Sequence, residues 1–158
     1  MQWSAEPHGG FTRSNSPILP IISEGPYSYE HVNVAQQRRN PNSLLNWTER
    51  IIRMRKEVAE IGWGDFTVIP LDTPQILILR YKWRNNVVVI VHNLGHTPRE
   101  ISLDLDLIGE NGRRLINLLS DDHSYARKDG QHRILLEPYG YRWFRAGGLD
   151  YLLKRGEI

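Results

Sequence analysis

A mainly β fold, an antiparallel sandwich preceded by a long irregular loop and a single amphipathic helix, is predicted by three observations. Residues 1–39 contain Pro7, Gly9, Gly10, Pro17, Pro20, Gly25 and Pro26 and sustain no period of 3.6 or 2. Residues 40–62 carry one apolar stripe at helical spacing. From Asp65 to Arg145, short β-branched, leucine-rich or aromatic runs alternate with Gly, Pro, Asn and Asp clusters.

The loop comes first. About 40 residues without a period are rare in a compact domain, where such stretches are binding loops or segments docked on something else. The helix follows: Asn40 is expected to cap it, Pro41 suits the first helical position, and Gly62 with Gly64 ends it. Leu44, Trp47, Ile51, Met54, Val58 and Ile61 form the stripe, widened by Leu45 and Ile52. Glu49, Arg50, Arg53 and Lys56 take the other side, with Glu49 and Arg53 set for an i,i+4 attraction. A stripe this wide requires a partner surface.

Seven strands are then expected: 66–69, 76–82, 87–92, 100–105, 114–119, 133–137 and 141–145. Arg84-Asn85-Asn86 reads as a tight turn, because asparagine tolerates positive φ. Val87-Val88-Val89-Ile90-Val91 lacks alternation, as a central strand buried on both faces would. Ile101-Ser102-Leu103-Asp104-Leu105 alternates and should have one wet face. Gly147-Gly148 reads as a joint before an apolar tail, Leu149–Leu153. The expected organisation is therefore loop 1–39, helix 40–62, sandwich 65–145 and tail 146–158.

Composition bounds function. A chain of 158 residues, 40% hydrophobic and 24% charged, is globular and long enough for one core. No apolar run reaches the about 20 residues that span a bilayer, and no signal-peptide pattern opens the chain, so a soluble, cytoplasmic protein is expected. The absence of cysteine excludes disulfides and thiolate chemistry. Of the twenty basic residues only four are lysines, and the arginines are scattered, with Arg38-Arg39 and Arg113-Arg114 the closest pairs. A phosphate-tracking surface needs a concentrated stripe, so nucleic acid is not the expected partner.

Each chemical constellation has a plainer explanation. Asp104 and Asp106 would lie about 6.6 Å apart on one side of a strand, near glycosidase carboxyl spacing, but they alternate with leucines as a solvent-facing row does. Asp121-Asp122-His123 reads as a surface loop, since three adjacent residues in extended chain cannot converge on one point. The histidines at 8, 31, 92, 96, 123 and 132 lack zinc-site spacing; His92 and His96 flank a turn at Asn93-Leu94-Gly95. No metal or cofactor is expected, and no serine-nucleophile or phosphate-loop motif is present.

Aromatic rings can stack on a sugar's C–H face while polar groups take its hydroxyls. On that ground Gln2, Trp3 and Phe11 are the candidate sugar-binding residues; the competing reading is that Trp3 and Phe11 anchor the loop by packing. Trp143 with Tyr139 and Tyr141 is a second cluster, read as core. Trp47, Trp63 and Trp83 read as core or junction residues.

Several motifs in order carry a family resemblance. Met1-Gln2-Trp3-Ser4 running to Gly9-Gly10-Phe11-Thr12, then Val32-Asn33-Val34, Gln36-Gln37 and Asn40-Pro41-Asn42-Ser43-Leu44-Leu45-Asn46-Trp47, resemble the last barrel loop and last barrel helix of glycoside hydrolase family 13, the α-amylase superfamily. Leu136-Glu137-Pro138-Tyr139-Gly140-Tyr141 resembles the closing strand pair of its C-terminal sandwich. Within the family the likeness is to trehalose synthases and oligo-1,6-glucosidases, and it extends to about Arg145.

The resemblance implies a C-terminal fragment of an enzyme acting on α-glucosides or α-glucans. The family's catalytic carboxylates lie upstream, as does the arginine of its Arg-Thr-Pro motif, so this chain supplies no catalytic residue and is expected to be inactive alone. Met1 reads equally as a start codon in a split or truncated gene, as the edge of an excised fragment, or as an internal methionine. The helix stripe is expected to meet a missing barrel portion or a second copy. Two further readings stay open: a free-standing carbohydrate-binding module, and an assembly subunit docking on a separately encoded barrel.

Overall fold

The computed structural model describes residues 1–109 and 112–147. Of the expected tail, 146–158, Ala146 instead ends the last strand, and Gly148 onward lies outside the described residues. The chain divides into two compact units, Met1–Arg53 and Met54–Ile158.

The first unit contains a short 3-10 turn, Pro7–Gly10, helix α1, Val34–Arg39, and most of helix α2, Leu44–Glu57. Helix α1 was not expected. Asn33 starts it, accepting a bond from Gln36 N at 2.9 Å, a cap signal hidden inside a stretch with no apolar period. Asn40, expected to begin the long helix, instead ends α1: its N–H donates to the carbonyls of Gln36 and Gln37. Ser43 opens α2 in its place, its hydroxyl accepting from Asn46 N at 3.2 Å and its carbonyl from Trp47 N. The side chain of Asn46 donates back to the carbonyls of Gln37 and Asn40, satisfying the end of α1.

The single helix expected to reach Gly62 is two helices. Val58 sits at φ −92, ψ 94 between α2 and α3, Ala59–Trp63. The break has a packing reason: Val58 and Glu60 are both buried, and residues two apart cannot share one face of a continuous helix. Gly64 ends α3 against Lys82, where a Cβ would collide with Glu60 O and lie 2.9 Å from Lys82 O. No residue of α2 itself is buried: Leu44 is 69% and Ile52 49% exposed, whereas Leu45, Ile51 and Met54 are half-buried.

The second unit is an antiparallel sandwich. Strands β1 (Asp65–Ile69), β2 (Ile76–Trp83), β3 (Asn86–Asn93), β4 (Arg99–Asp104), β5 (Arg114–Asn117), β6 (Ser124–Tyr125), β7 (Gln131–Leu136) and β8 (Tyr141–Ala146) form two sheets. The larger has the order β1-β2-β3-β8-β5-β6, and the smaller pairs β4 with β7. All seven expected strands are present; β6, two residues long, was missed. Leu105, expected to end the fourth strand, instead opens a short helix, α4, Leu105–Ile108.

The core lies between the sheets, where Ile78, Val89, Val91, Leu115 and Phe144 meet Ile101, Leu103, Ile134 and Leu136. Strand β3 is buried on both faces, as its lack of alternation predicts, because α3 covers part of the face opposite the core. Strand β4 alternates and exposes Ser102 and Asp104. The two-residue turn Arg84-Asn85 joins β2 to β3, but positive φ falls on Arg84 (54°) rather than on an asparagine. Its guanidinium lies 4.2 Å from the ring centre of Trp83, a cation–π contact.

Candidate functional site

The three sugar-site candidates lie on a loop closed by backbone bonds. Gly9 O accepts from Trp3 N at 2.8 Å and from Ser4 N at 3.3 Å, and His8 O accepts from Phe11 N at 3.2 Å. His8, Gly9 and Gly10 all have positive φ, and a Cβ on Gly9 would press on Tyr29 Cβ at 3.2 Å. The loop is tied to α1, whose first amides at Val34 and Ala35 donate to the carbonyls of Gln2 and Trp3. Gln2 Nε2 donates to Tyr27 O at 2.9 Å.

Two consequences follow for the candidates. Backbone bonds fix the loop, so the rings of Trp3 and Phe11 remain 54% and 50% exposed. Gln2 and Phe11 border different hollows among the described residues. Gln2 borders an apolar hollow of about 300 Å³ with Val32, Val34, Leu44 and Leu45. Phe11 borders others, one with Thr12, Ser14, Pro17 and Ile18 and one with Glu6, His8 and Arg13. Tyr27, 72% exposed and held beside Gln2, is an aromatic that sequence reasoning passed over.

On the sandwich, Asp122, His123, Arg133, Glu137 and Arg142 surround a polar hollow of about 290 Å³. Arg142 Nε donates to Asp122 Oδ2 at 2.8 Å and its Nη2 to Glu137 Oε1 at 2.9 Å. The hydrogen bond from Arg142, then a backbone bond, hold the Glu137 carboxyl below the usual carboxylate range. The bond to Glu137 in turn raises Arg142. A general acid needs a carboxyl pushed upward, so this cluster is a clamp between the 118–123 loop and the 137–140 turn. The Asp121-Asp122-His123 run does not converge: Asp122 turns to Arg142, and His123 Nδ1 accepts from Asn117 N.

Asp104 and Asp106 do not share a strand face. Strand β4 ends at Asp104, whose Oδ1 accepts from Asp106 N at 3.1 Å and turns the chain into α4. His92 lies on β3, stacked at 6.1 Å on the Tyr141 ring, and burial lowers its pKa from 6.5. The second aromatic cluster splits: Trp143 is buried, whereas Tyr139 is exposed in the turn. Trp63 is exposed as well, so it is not a core residue.

Sequence reasoning missed His132, fully buried on β7. The carbonyl of Gly112 can only accept, so Nε2, 2.6 Å away, donates to it, and Nδ1 shares a 2.8 Å hydrogen bond with Ser124 Oγ. The imidazole staples β7 to β6 and to the 112 turn. Its alternation with Ile134 and Leu136, both buried, was the available signal. Among the described residues no group of three or more His, Asp or Glu is placed to hold a metal ion, and no helix is long and apolar enough to cross a membrane.

Residues 86–145 match the family described as sucrose hydrolase-like, C-terminal domain. The chain is 34% identical over 156 residues, 97% of its length, to a trehalose synthase from Thermus thermophilus, and covers 16% of that protein. It is 31% identical over 93 residues, 59% of its length, to an oligo-1,6-glucosidase from Halalkalibacterium halodurans, of which it also covers 16%. Its fold is similar to trehalose-6-phosphate hydrolase from Bacillus licheniformis, with TM-score 0.70 and 21% identity over 91% of this chain and 24% of that one. The chain therefore spans less than a quarter of the length of these relatives.

Proposed function

This chain belongs with the C-terminal portion of glycoside hydrolase family 13, to which it is homologous, and on that premise we propose that it serves an α-glucoside-acting enzyme as loop wall, last barrel helix and supporting sandwich. In that reading the loop through Gln2, Trp3 and Phe11 borders the sugar site, α2 closes the barrel, and residues 65–145 stabilise the whole. The reacting carboxylates, one attacking the anomeric carbon and one moving the leaving-group proton, lie on barrel strands outside these 158 residues. The compartment proposed is the cytoplasm.

One observation carries the reading: the match to a trehalose synthase runs through loop, helix and sandwich together rather than through the sandwich alone. Leu44 and Ile52 of α2, both exposed, agree with docking on a barrel rather than with a free-standing sugar-binding module.

The test has two parts. The purified chain, given maltose, trehalose and an α-1,6-glucoside, should neither release glucose nor isomerise maltose. A chimera in which this chain replaces the matching segment of the Thermus trehalose synthase should be active, and Trp3→Ala or Phe11→Ala in it should lower kcat/KM about tenfold, equivalent to about 1.4 kcal/mol. Turnover by the chain alone, or loop variants of the chimera with unchanged kinetics, would overturn the proposal.

A further inference from the structure

The free edge of the larger sheet can be read down to individual amides. Strand β1 ends the sheet order and pairs only with β2, in unbroken register from Asp65↔Lys82 to Ile69↔Ile78. The two-residue turn after Trp83 makes Trp83 and Asn86 the closing pair of the β2–β3 hairpin, which exchanges both backbone bonds. Alternation along β2 then directs the N–H and C=O of Lys82, Arg80 and Ile78 toward β1. Their partners Asp65, Thr67 and Ile69 point back, so the N–H and C=O of Phe66 and Val68 point outward. No backbone hydrogen bond to a described residue outside the sheet takes them up. The side chains of the same two residues are 55% and 50% exposed.

We propose that this edge pairs with the same edge of a second copy of the chain, antiparallel about a two-fold axis at Thr67. In that register Phe66 exchanges both backbone bonds with Val68 of the second copy, and Val68 does so with its Phe66. Four hydrogen bonds form, and none is taken from the β1–β2 ladder. The two Thr67 residues face each other, and each Phe66 ring lies beside a Val68, an aromatic and β-branched pairing that stabilises sheets. The one charge in the strand, Asp65, falls opposite Ile69, so no like charges meet.

The edge also lacks the usual protections. It has no lysine, no bulge and no proline within it, Pro70 coming only after Ile69. A second copy is the occupant favoured because the strand complements itself in hydrogen bonding, side-chain size and charge at once. This inference does not rest on the glycosidase reading.

The experiment uses the 158-residue chain, by light scattering and sedimentation over a concentration series, with amide hydrogen exchange at each end of the series. A concentration-dependent dimer is expected, in which the amides of Phe66 and Val68 are protected only in the dimer while Thr67 is protected in both states. Val68→Pro removes an outward N–H and leaves β1–β2 bonding intact, so it should raise the dimer dissociation constant at least tenfold. Val68→Thr should change it little. A chain that stays monomeric throughout, or a dimer in which Phe66 and Val68 amides exchange as fast as in the monomer, would overturn the proposal. The exchange readout needs no variant and stands even if Val68→Pro fails to fold.

Discussion

Glu60 Oε1 accepts a 2.6 Å hydrogen bond from Arg145 Nη2, joining α3 to β8 across 85 residues. Glu60 is fully buried and the Arg145 side chain only 14% exposed. Glu60 Oε2 and Arg145 Nε have no partner among the described residues. The pair is thus expensive to break and replaceable as a unit. Glu60→Ala should cost about 3 kcal/mol or more, read by urea unfolding, because it strands a buried guanidinium. Glu60→Leu combined with Arg145→Met should recover most of that loss. A single variant as stable as the parent would show that the pair contributes nothing.

Tyr139 occupies a position made for glycine. Gly140 N donates to Glu137 O at 2.9 Å across a turn with Pro138 second and Tyr139, at φ 55, third. Its ring is 67% exposed, so little packing is lost on removing it. Tyr139→Gly should raise stability by about 1 kcal/mol, seen as a higher thermal midpoint. Arg84→Gly relieves similar strain but gives up the contact with Trp83, worth about 0.5–1 kcal/mol, and should come out near neutral.

Asn93 is buried with both ends used. Its Nδ2 donates to Thr97 O at 2.7 Å and Glu137 O at 2.8 Å, and its Oδ1 accepts from Gly95 N at 3.0 Å. Asn93→Asp keeps the shape but sets an acceptor against two carbonyls. The expected loss is about 3 kcal/mol at neutral pH, measured by denaturant titration. The loss should shrink in acid, where a protonated carboxyl donates to one of the carbonyls.

His92 gives the sandwich a mild acid sensitivity. Burial lowers its folded pKa below 6.5, so the unfolded chain binds the proton more readily. The stability associated with the neutral ring is present above pH 6.5 and is lost as pH falls through the folded value. His92→Phe should flatten that part of a stability–pH curve. A slope that persists unchanged in the variant would place its origin elsewhere.

What the sequence made legible was whatever depends on side-chain period. The uniform burial of β3 and the alternation of β4 follow directly from residue type, and so did seven of the eight strands. What escaped depended on long-range contacts. Nothing local to Val58 says that the helix must break there; the reason is Glu60 reaching an arginine 85 residues away. Asn40 and Ser43 are both good caps on propensity, and only the bonds from Asn46 to the end of α1 decide which one begins α2. At the sugar-site candidates, residue type indicated Gln2, Trp3 and Phe11. That Gln2 and Phe11 border different hollows was not legible, because three consecutive positive-φ residues fix the path between them.

Strand β8, the last described element, lies between β3 and β5. While the chain is being synthesised, the β1-β2-β3 meander and the β5-β6 hairpin emerge as separate pieces, each with an uncovered edge waiting for residues 141–146. Sheet closure therefore waits until residues 141–146 have emerged. A ribosome stalled before Tyr141 has cleared the exit tunnel would hold a nascent chain with two extra edges open to neighbouring polysomal chains, which makes this interval the one in which a chaperone has most to protect.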